Sequence, residues 1–358
     1  GLSTGLLTVT PHPEFATNGK FYTLHIESAS GNPAVPDFTA KGNAGNISGG
    51  QHGVLVGGTA NDPTANAFAG TRRELMRIAQ PAGNVHNLGD IGFNPLANPG
   101  DSDYGLMYIG GGDGGYDAYN KGSPQAQRLD SIFGKILRID PAGTNSANGK
   151  YGVPASNPYA SDGDSQTLGE IYASGFRNAH RIMWDSETGV LFTTDIGQNN
   201  IEEINIVHAG ANYGWREREG TFTYLGGTVG PLPSNADSDG FTYPVAQYDH
   251  STGDAIAGGF VYRGSAVPEL YGKFVYGDIV RGRLFYSDVD DMIAADDGIA
   301  ATTAPVYELF LKRDGQPTTL EQLVLGAIGG GDLPADRHDL RFGQTSDGEI
   351  YVITKQDG

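Results

Sequence analysis

His86 and Asp113 are the first pair whose types and spacing could move a proton. His86 stands in VHNLGDIGFNP, just ahead of a strand-like run, and Asp113 closes the next run in MYIGGGDGG. A carboxylate bonded to one imidazole nitrogen fixes the tautomer and keeps the other nitrogen basic. The competing reading of His86 is a loop cap bonded only to backbone. The stretch from Arg177 to Trp215 adds an Arg177–Asn178 pair, a planar cation beside an amide, suited to a carboxylate or quinone-like ligand; a surface ion pair is its alternative. Further along, the DIGQN turn with Glu202, Glu203 and the backbone carbonyl of Tyr213 offers the mixture of carbonyl and carboxylate oxygens that hard cations take. A solvated acidic strand edge would have the same composition.

One recurring pattern must position these groups. A turn rich in Asp, Asn, Pro and Gly precedes a run of aromatic and aliphatic residues at GKFYTLH (19–25), GLMYIGGGD (105–113), GVLFTTD (189–195), GKFVYGD (272–278) and GEIYVIT (348–354). Repetition of a strand–turn–strand unit at roughly 80 residues is the sequence form of a β-propeller, each unit one blade. Trp184 to Thr194 reads as a hairpin turning through 185–189. The glycine-rich stretches 31–70 and 141–166 read as loops between strands of one series, so residues 1–358 form a single domain. Five units are countable, and Gly1 falls partway into one.

Composition narrows the class. With 55 Gly, 19 Pro and short apolar runs, the 358 residues read as turn-rich and all-β. No run approaches the roughly 18 to 20 residues of a membrane span. A formal charge of −19 argues against nucleic acid as a partner. Cysteine is absent, which removes disulfides, thiolate metal sites and Cys nucleophiles together. Dinucleotide-binding, Walker and His-Glu-x-x-His motifs are missing too, and GGGDGG has neither a cation nor a following helix to serve phosphate.

Taken in order, HNLGDIGFNP, MYIGGGDGG, RLDSIFGKILRIDP, IYASGFRNAHRI, GQNNIEEINIV, GANYGW and DAIAGGFVYRG resemble the glucose/sorbosone dehydrogenase family over nearly the whole chain from Gly5. The resemblance implies a six-bladed β-propeller of four-stranded blades, incomplete here at the N-terminus. It implies a soluble sugar dehydrogenase using pyrroloquinoline quinone (PQQ) and calcium, extracellular or periplasmic, passing electrons from an aldose to an external acceptor. Residue by residue, His86 matches the catalytic base and Asp113 the carboxylate that orients it. Arg177 and Asn178 match the cofactor-contacting pair, with Arg177 also polarising the quinone, and Gly197 with Gln198 match the turn whose carbonyls hold the cofactor-bridging calcium. Glu203 and Tyr213 match ligands of a structural calcium.

The chain departs from that pattern at Ser3 and Ile196, where the family has Gln, and at Val280, where it has a cofactor-binding Lys. Arg281 is the adjacent substitute, and Arg337 and Arg341 align loosely with a terminal Arg pair. The family also contains proteins without dehydrogenase activity, including the Hedgehog-interacting type. A catalytically silent, calcium-stabilised propeller that binds carbohydrate or a protein partner is therefore the second reading, and other acid/base chemistry at His86 and Asp113, such as elimination on a sugar, is a third.

Overall fold

The computed structural model describes residues 5–42, 50–80, 86–115, 124–328 and 338–354. Its chain groups into two compact units, Gly1–Ile182 with His208–Arg216, and Met183–Val207 with Glu217–Gly358.

The first unit holds two antiparallel four-stranded sheets in simple chain order. One runs through Gly5–Pro11, Lys20–Ser28, Gln51–Ala60 and Gly70–Ala79, the other through Leu88–Phe93, Met107–Gly111, Lys135–Ile139 and Ile171–Ser174. Leu24, Leu55, Leu75, Met76, Ile109, Leu137 and Ile171 fill their common core with no exposed surface. Each such side chain contributes about 1.5–3 kcal/mol by leaving water.

In the second unit, Leu191–Asp195, Ile201–Ile206 and Ala246–Asp249 form a sheet with the boundary strand Arg181–Trp184, and Ile256–Val261, Lys273–Asp278, Leu284–Asp288 and Tyr307–Glu308 form another. Phe192, Ile204, Phe274, Tyr276 and Phe285 lead its core. Three short strands between Arg218 and Gly230 make a sheet of their own, inserted before Ala246–Asp249. Arg341–Gln344 pairs with Ile350–Ile353 as a two-stranded sheet.

All five recurring motifs fall on strands, and each is the second strand of its sheet or hairpin. The Trp184–Thr194 hairpin forms as expected, with Asp185 accepting from Glu187 N, Thr188 N and Thr188 Oγ1 in its turn. Two expectations change. The 31–70 stretch contains the strand Gln51–Ala60, whose run of glycines hides its period. The unit that Gly1 was expected to enter partway has GLLTVTP as the first of its four strands, and the motif after it is the second. The 141–166 stretch carries no strand.

The strands Met107–Gly111, Leu191–Asp195 and Ile201–Ile206 are buried at every position. Polar residues on a strand covered on both faces need partners inside the protein. Thr193, Asp195, Glu202, Glu203 and Asn205 are all of this kind.

Candidate functional site

His86 and Asp113 meet in the first unit, at the ends of adjacent strands. His86 Nδ1 lies 2.6 Å from Asp113 Oδ1, and the carboxylate is wholly buried. Oδ1 also accepts Gly115 N–H at 2.7 Å, while Oδ2 accepts the Trp215 indole Nε1–H at 2.9 Å. Each carboxylate oxygen is thereby directed, and the imidazole plane follows. His86 Nε2 makes no hydrogen bond to any described residue.

The backbone holds the pair as firmly as the side chains do. His86 adopts φ 53°, in the left-handed region that few non-glycine residues occupy. Its carbonyl accepts Gly114 N–H, and Asp113 N–H bonds to Arg177 O. Gly112 lies between them; a Cβ there would stand 2.7 Å from both His86 Cβ and His86 O, so only glycine allows the approach. Backbone strain kept at a polar constellation is a common mark of function.

Trp215 comes from a segment laid beside Ile171–Ser174. Tyr213 N–H bonds to Ser174 O and Trp215 N–H to Gly175 O, and Gln127 Nε2 donates to Trp215 O. Tyr213 is buried, its ring stacked on Phe176 at 4.4 Å, with its hydroxyl accepting His208 N–H. The Arg177 guanidinium carbon lies 5.7 Å from the Trp215 ring centre, a cation–π contact inside the protein.

These contacts set the charge states. Burial lowers the His86 pKa below the usual imidazole value and Arg177 adds to that, against the opposing pull of Asp113. Burial alone would raise Asp113, but the His86 imidazole, Arg177 and the Trp215 N–H hold it below the ordinary carboxylate range. The site therefore carries a neutral imidazole on an ionised carboxylate at neutral pH, the resting state of a general base.

In the second unit, the neighbouring glutamates part company. Glu202 turns to one face, where its carboxylate meets His250 Nε2 at 2.8 Å and accepts Ile256 N–H. Glu203 turns to the other, opposite Asp195 in the strand register. It accepts Gly220 N–H at 2.6 Å and Asn205 Nδ2–H at 3.1 Å. Burial, then the Asp195 charge, pushes its pKa up to about 8.

The Gly197–Gln198 turn is organised by Glu219, a residue that sequence reasoning missed. Glu219 Oε1 gathers the N–H groups of Gln198, Asn199, Asn200 and Ile201 at 2.8–3.2 Å. Gly197 is required there, since a Cβ would lie 1.8 Å from Ile201 O.

For a cation, the fit in this unit rests on the Glu203 and Asp195 carboxylates and on Asn205 Oδ1, which is buried without a hydrogen bond. Among the described residues no three His, Cys, Asp or Glu side chains converge, so the remaining ligands would be carbonyl or amide oxygens, which calcium accepts.

For an anionic planar cofactor, Arg177 and Asn178 beside His86 fit. Arg281 fits less well: its guanidinium already pairs with both Asp254 oxygens and donates to the His250 and Ser251 carbonyls. Val280 N–H is bonded to Asp278, and Arg341 Nη1 to Leu340 O. Ile196 packs among apolar neighbours. Arg337 and Ser3 lie outside the described residues.

The family model described as glucose/sorbosone dehydrogenase matches residues 1–316. The chain belongs to this family. Among known proteins it is similar to the HIPL2 protein of Arabidopsis thaliana, 29% identical over 98% of this chain and 52% of that protein, so the chain spans about half the length of that relative. The soluble aldose sugar dehydrogenase Asd of Escherichia coli, solved in its apo form, superposes with a TM-score of 0.64 at 22% identity over 98% of this chain and 80% of the other. The PQQ-bound aldose sugar dehydrogenase Adh of Streptomyces coelicolor superposes with 0.53 at 22% identity over 85% and 67%. At such identity the likeness speaks to the fold, which is a β-propeller. No helix among the described residues is long and apolar enough to cross a membrane.

Proposed function

We propose that this family member is extracellular or periplasmic, oxidises aldose sugars with PQQ and calcium, and delivers the electrons to an external acceptor. The observation that carries the reading is the His86–Asp113–Trp215 array, in which a buried, doubly anchored carboxylate fixes a neutral imidazole with an unbonded Nε2. His86 Nε2 would take the proton of the anomeric hydroxyl, and Asp113 would stabilise the imidazolium that forms. Arg177 would pair with an anionic oxygen of the cofactor, its position kept by the Trp215 ring, and Asn178 would add an amide contact. PQQ, when bound, supplies the acceptor for the hydride leaving the anomeric carbon. One calcium would be held by the backbone carbonyls of Gly197 and Gln198, and a structural calcium by Glu203. Dye reduction by aldoses with PQQ and Ca²⁺ supplied tests this reading.

A second reading, a catalytically silent propeller that binds carbohydrate or a protein, draws on two observations. Arg281, the substitute for a cofactor lysine, is filled by Asp254, and the chain matches the HIPL2 protein along nearly its whole length. Failure of PQQ to bind would favour it.

A further inference from the structure

The end of the first sheet away from His86 holds a cavity of about 290 Å³ that the proposed chemistry does not use. Its floor follows from strand register. Lys20, Thr59 and Thr71 stand side by side across three strands, and Tyr22, Gly57 and Arg73 form the next row on the same face. Gly57 supplies the space between its neighbours: a Cβ there would come within 3.3 Å of the Tyr22 ring. Arg72, one residue out of phase with Thr71 and Arg73, turns to the other face of the sheet beside Phe21 and Gly58 and only edges the cavity, and Pro141 and Ala142 close it from the loop after Lys135–Ile139.

Two cations, Lys20 and Arg73, share this face in a chain whose formal charge is −19. Arg73 is held in place by the Lys150 and Pro141 carbonyls at 2.8 and 3.0 Å, which fix the guanidinium without neutralising it. Lys20 forms no ion pair with any described residue. Asp140 borders the loop, and its Oδ1 is taken by Ala142 N–H. Tyr22 is only 4% exposed, lines the cavity, and its hydroxyl has no hydrogen-bond partner among the described residues. A phenol hydroxyl that opens to the cavity beside cations marks a place for acceptor oxygens.

We propose that this cavity binds a small oxyanion-bearing ligand, with Lys20 and Arg73 taking the phosphate or carboxylate oxygens and the hydroxyls of Tyr22, Thr59 and Thr71 completing the contacts. Guanidinium and ammonium groups favour such oxygens through charge-assisted hydrogen bonds. The volume is near the lower limit for small-molecule sites, which matches a single sugar acid or sugar phosphate rather than an extended polymer.

Calorimetric titration of the full chain with inorganic phosphate, glucose 6-phosphate, glucuronate and neutral glucose tests this. Saturable, mutually competitive binding of the anions is expected, with glucose unable to displace phosphate. The phosphate and glucuronate arms distinguish the two sources of anionic oxygen. Lys20→Met and Arg73→Gln should each weaken binding by about tenfold, the worth of one charge-assisted contact, while Arg72→Gln, on the other face of the sheet, should leave it unchanged. Gly57→Val, which fills the floor, should abolish it. Absence of saturable anion binding, displacement of phosphate by glucose, or full affinity in the Lys20→Met/Arg73→Gln double variant would overturn the proposal. None of these outcomes depends on PQQ or on His86.

Discussion

Trp215 Nε1 donates to Asp113 Oδ2 at 2.9 Å, the oxygen that His86 leaves open. The indole thus serves two partners, anchoring the carboxylate by its N–H and carrying the Arg177 guanidinium on its face. Trp215→Phe keeps the ring and deletes the donor. A buried carboxylate losing one hydrogen bond forfeits about 1.5–3 kcal/mol. Turnover should therefore fall by roughly 10- to 100-fold, less than for loss of His86 itself, while the fold persists. Steady-state dye reduction and a thermal melt check both halves.

His86→Ala removes the base and should lower turnover by on the order of 10² to 10⁴ fold. The pH profile gives a finer test. Because burial and Arg177 lower the His86 pKa, the acid limb of kcat/KM should lie below pH 6.5, with a plateau above. Asp113 is the group that raises that pKa, so Asp113→Asn should shift the limb to still lower pH as well as reduce the plateau. A limb unmoved in Asp113→Asn contradicts the assigned contact.

Glu203 links pH, metal and stability. Its folded pKa of about 8 lies above the ordinary glutamate value of 4.5. The folded state therefore binds an extra proton between these values, and the metal-free protein should lose stability as pH rises from about 4.5 through 8. Calcium supplies the missing positive charge and should flatten that dependence and raise the melting temperature. Glu203→Gln should abolish both the slope and the calcium response. Melts with chelator and with Ca²⁺ across pH 5 to 8 decide the matter.

Glu219→Ala strands four backbone N–H groups at the 197–201 turn. Hydrogen bonds to a charged group contribute about 1.5–3 kcal/mol each. With water replacing part of the set, a loss of at least about 2 kcal/mol is expected in denaturant unfolding. Faster amide exchange at Gln198, Asn199 and Asn200 should accompany it.

The sequence was most legible where spacing recurs. The motifs at Lys20–Ser28, Met107–Gly111, Leu191–Asp195, Lys273–Asp278 and Ile350–Ile353 stood out because aromatic and β-branched residues on covered strands leave a dense apolar run between turn signals. Gln51–Ala60 is hidden because three glycines dilute its pattern. Within the site, His86 and Asp113 could be paired from their places beside consecutive strands. The partners that complete the site come from far along the chain: Trp215 lies 102 residues from Asp113, and Glu219 is 21 from Gln198. Their contacts depend on tertiary packing that no local period encodes. Glu202 and Glu203 looked alike in sequence, and only strand alternation sent one to His250 and the other to Asp195.

The central claim is tested most directly by titrating the calcium-loaded protein with PQQ and following dye reduction over a broad panel of aldoses, for the wild type and His86→Ala side by side. The proposed function predicts saturable PQQ binding with a change in quinone absorbance in both proteins, and sugar-dependent dye reduction that is strong in the wild type and 10²- to 10⁴-fold weaker in the variant. Absence of PQQ binding, or equal dye reduction in the two proteins, would contradict it.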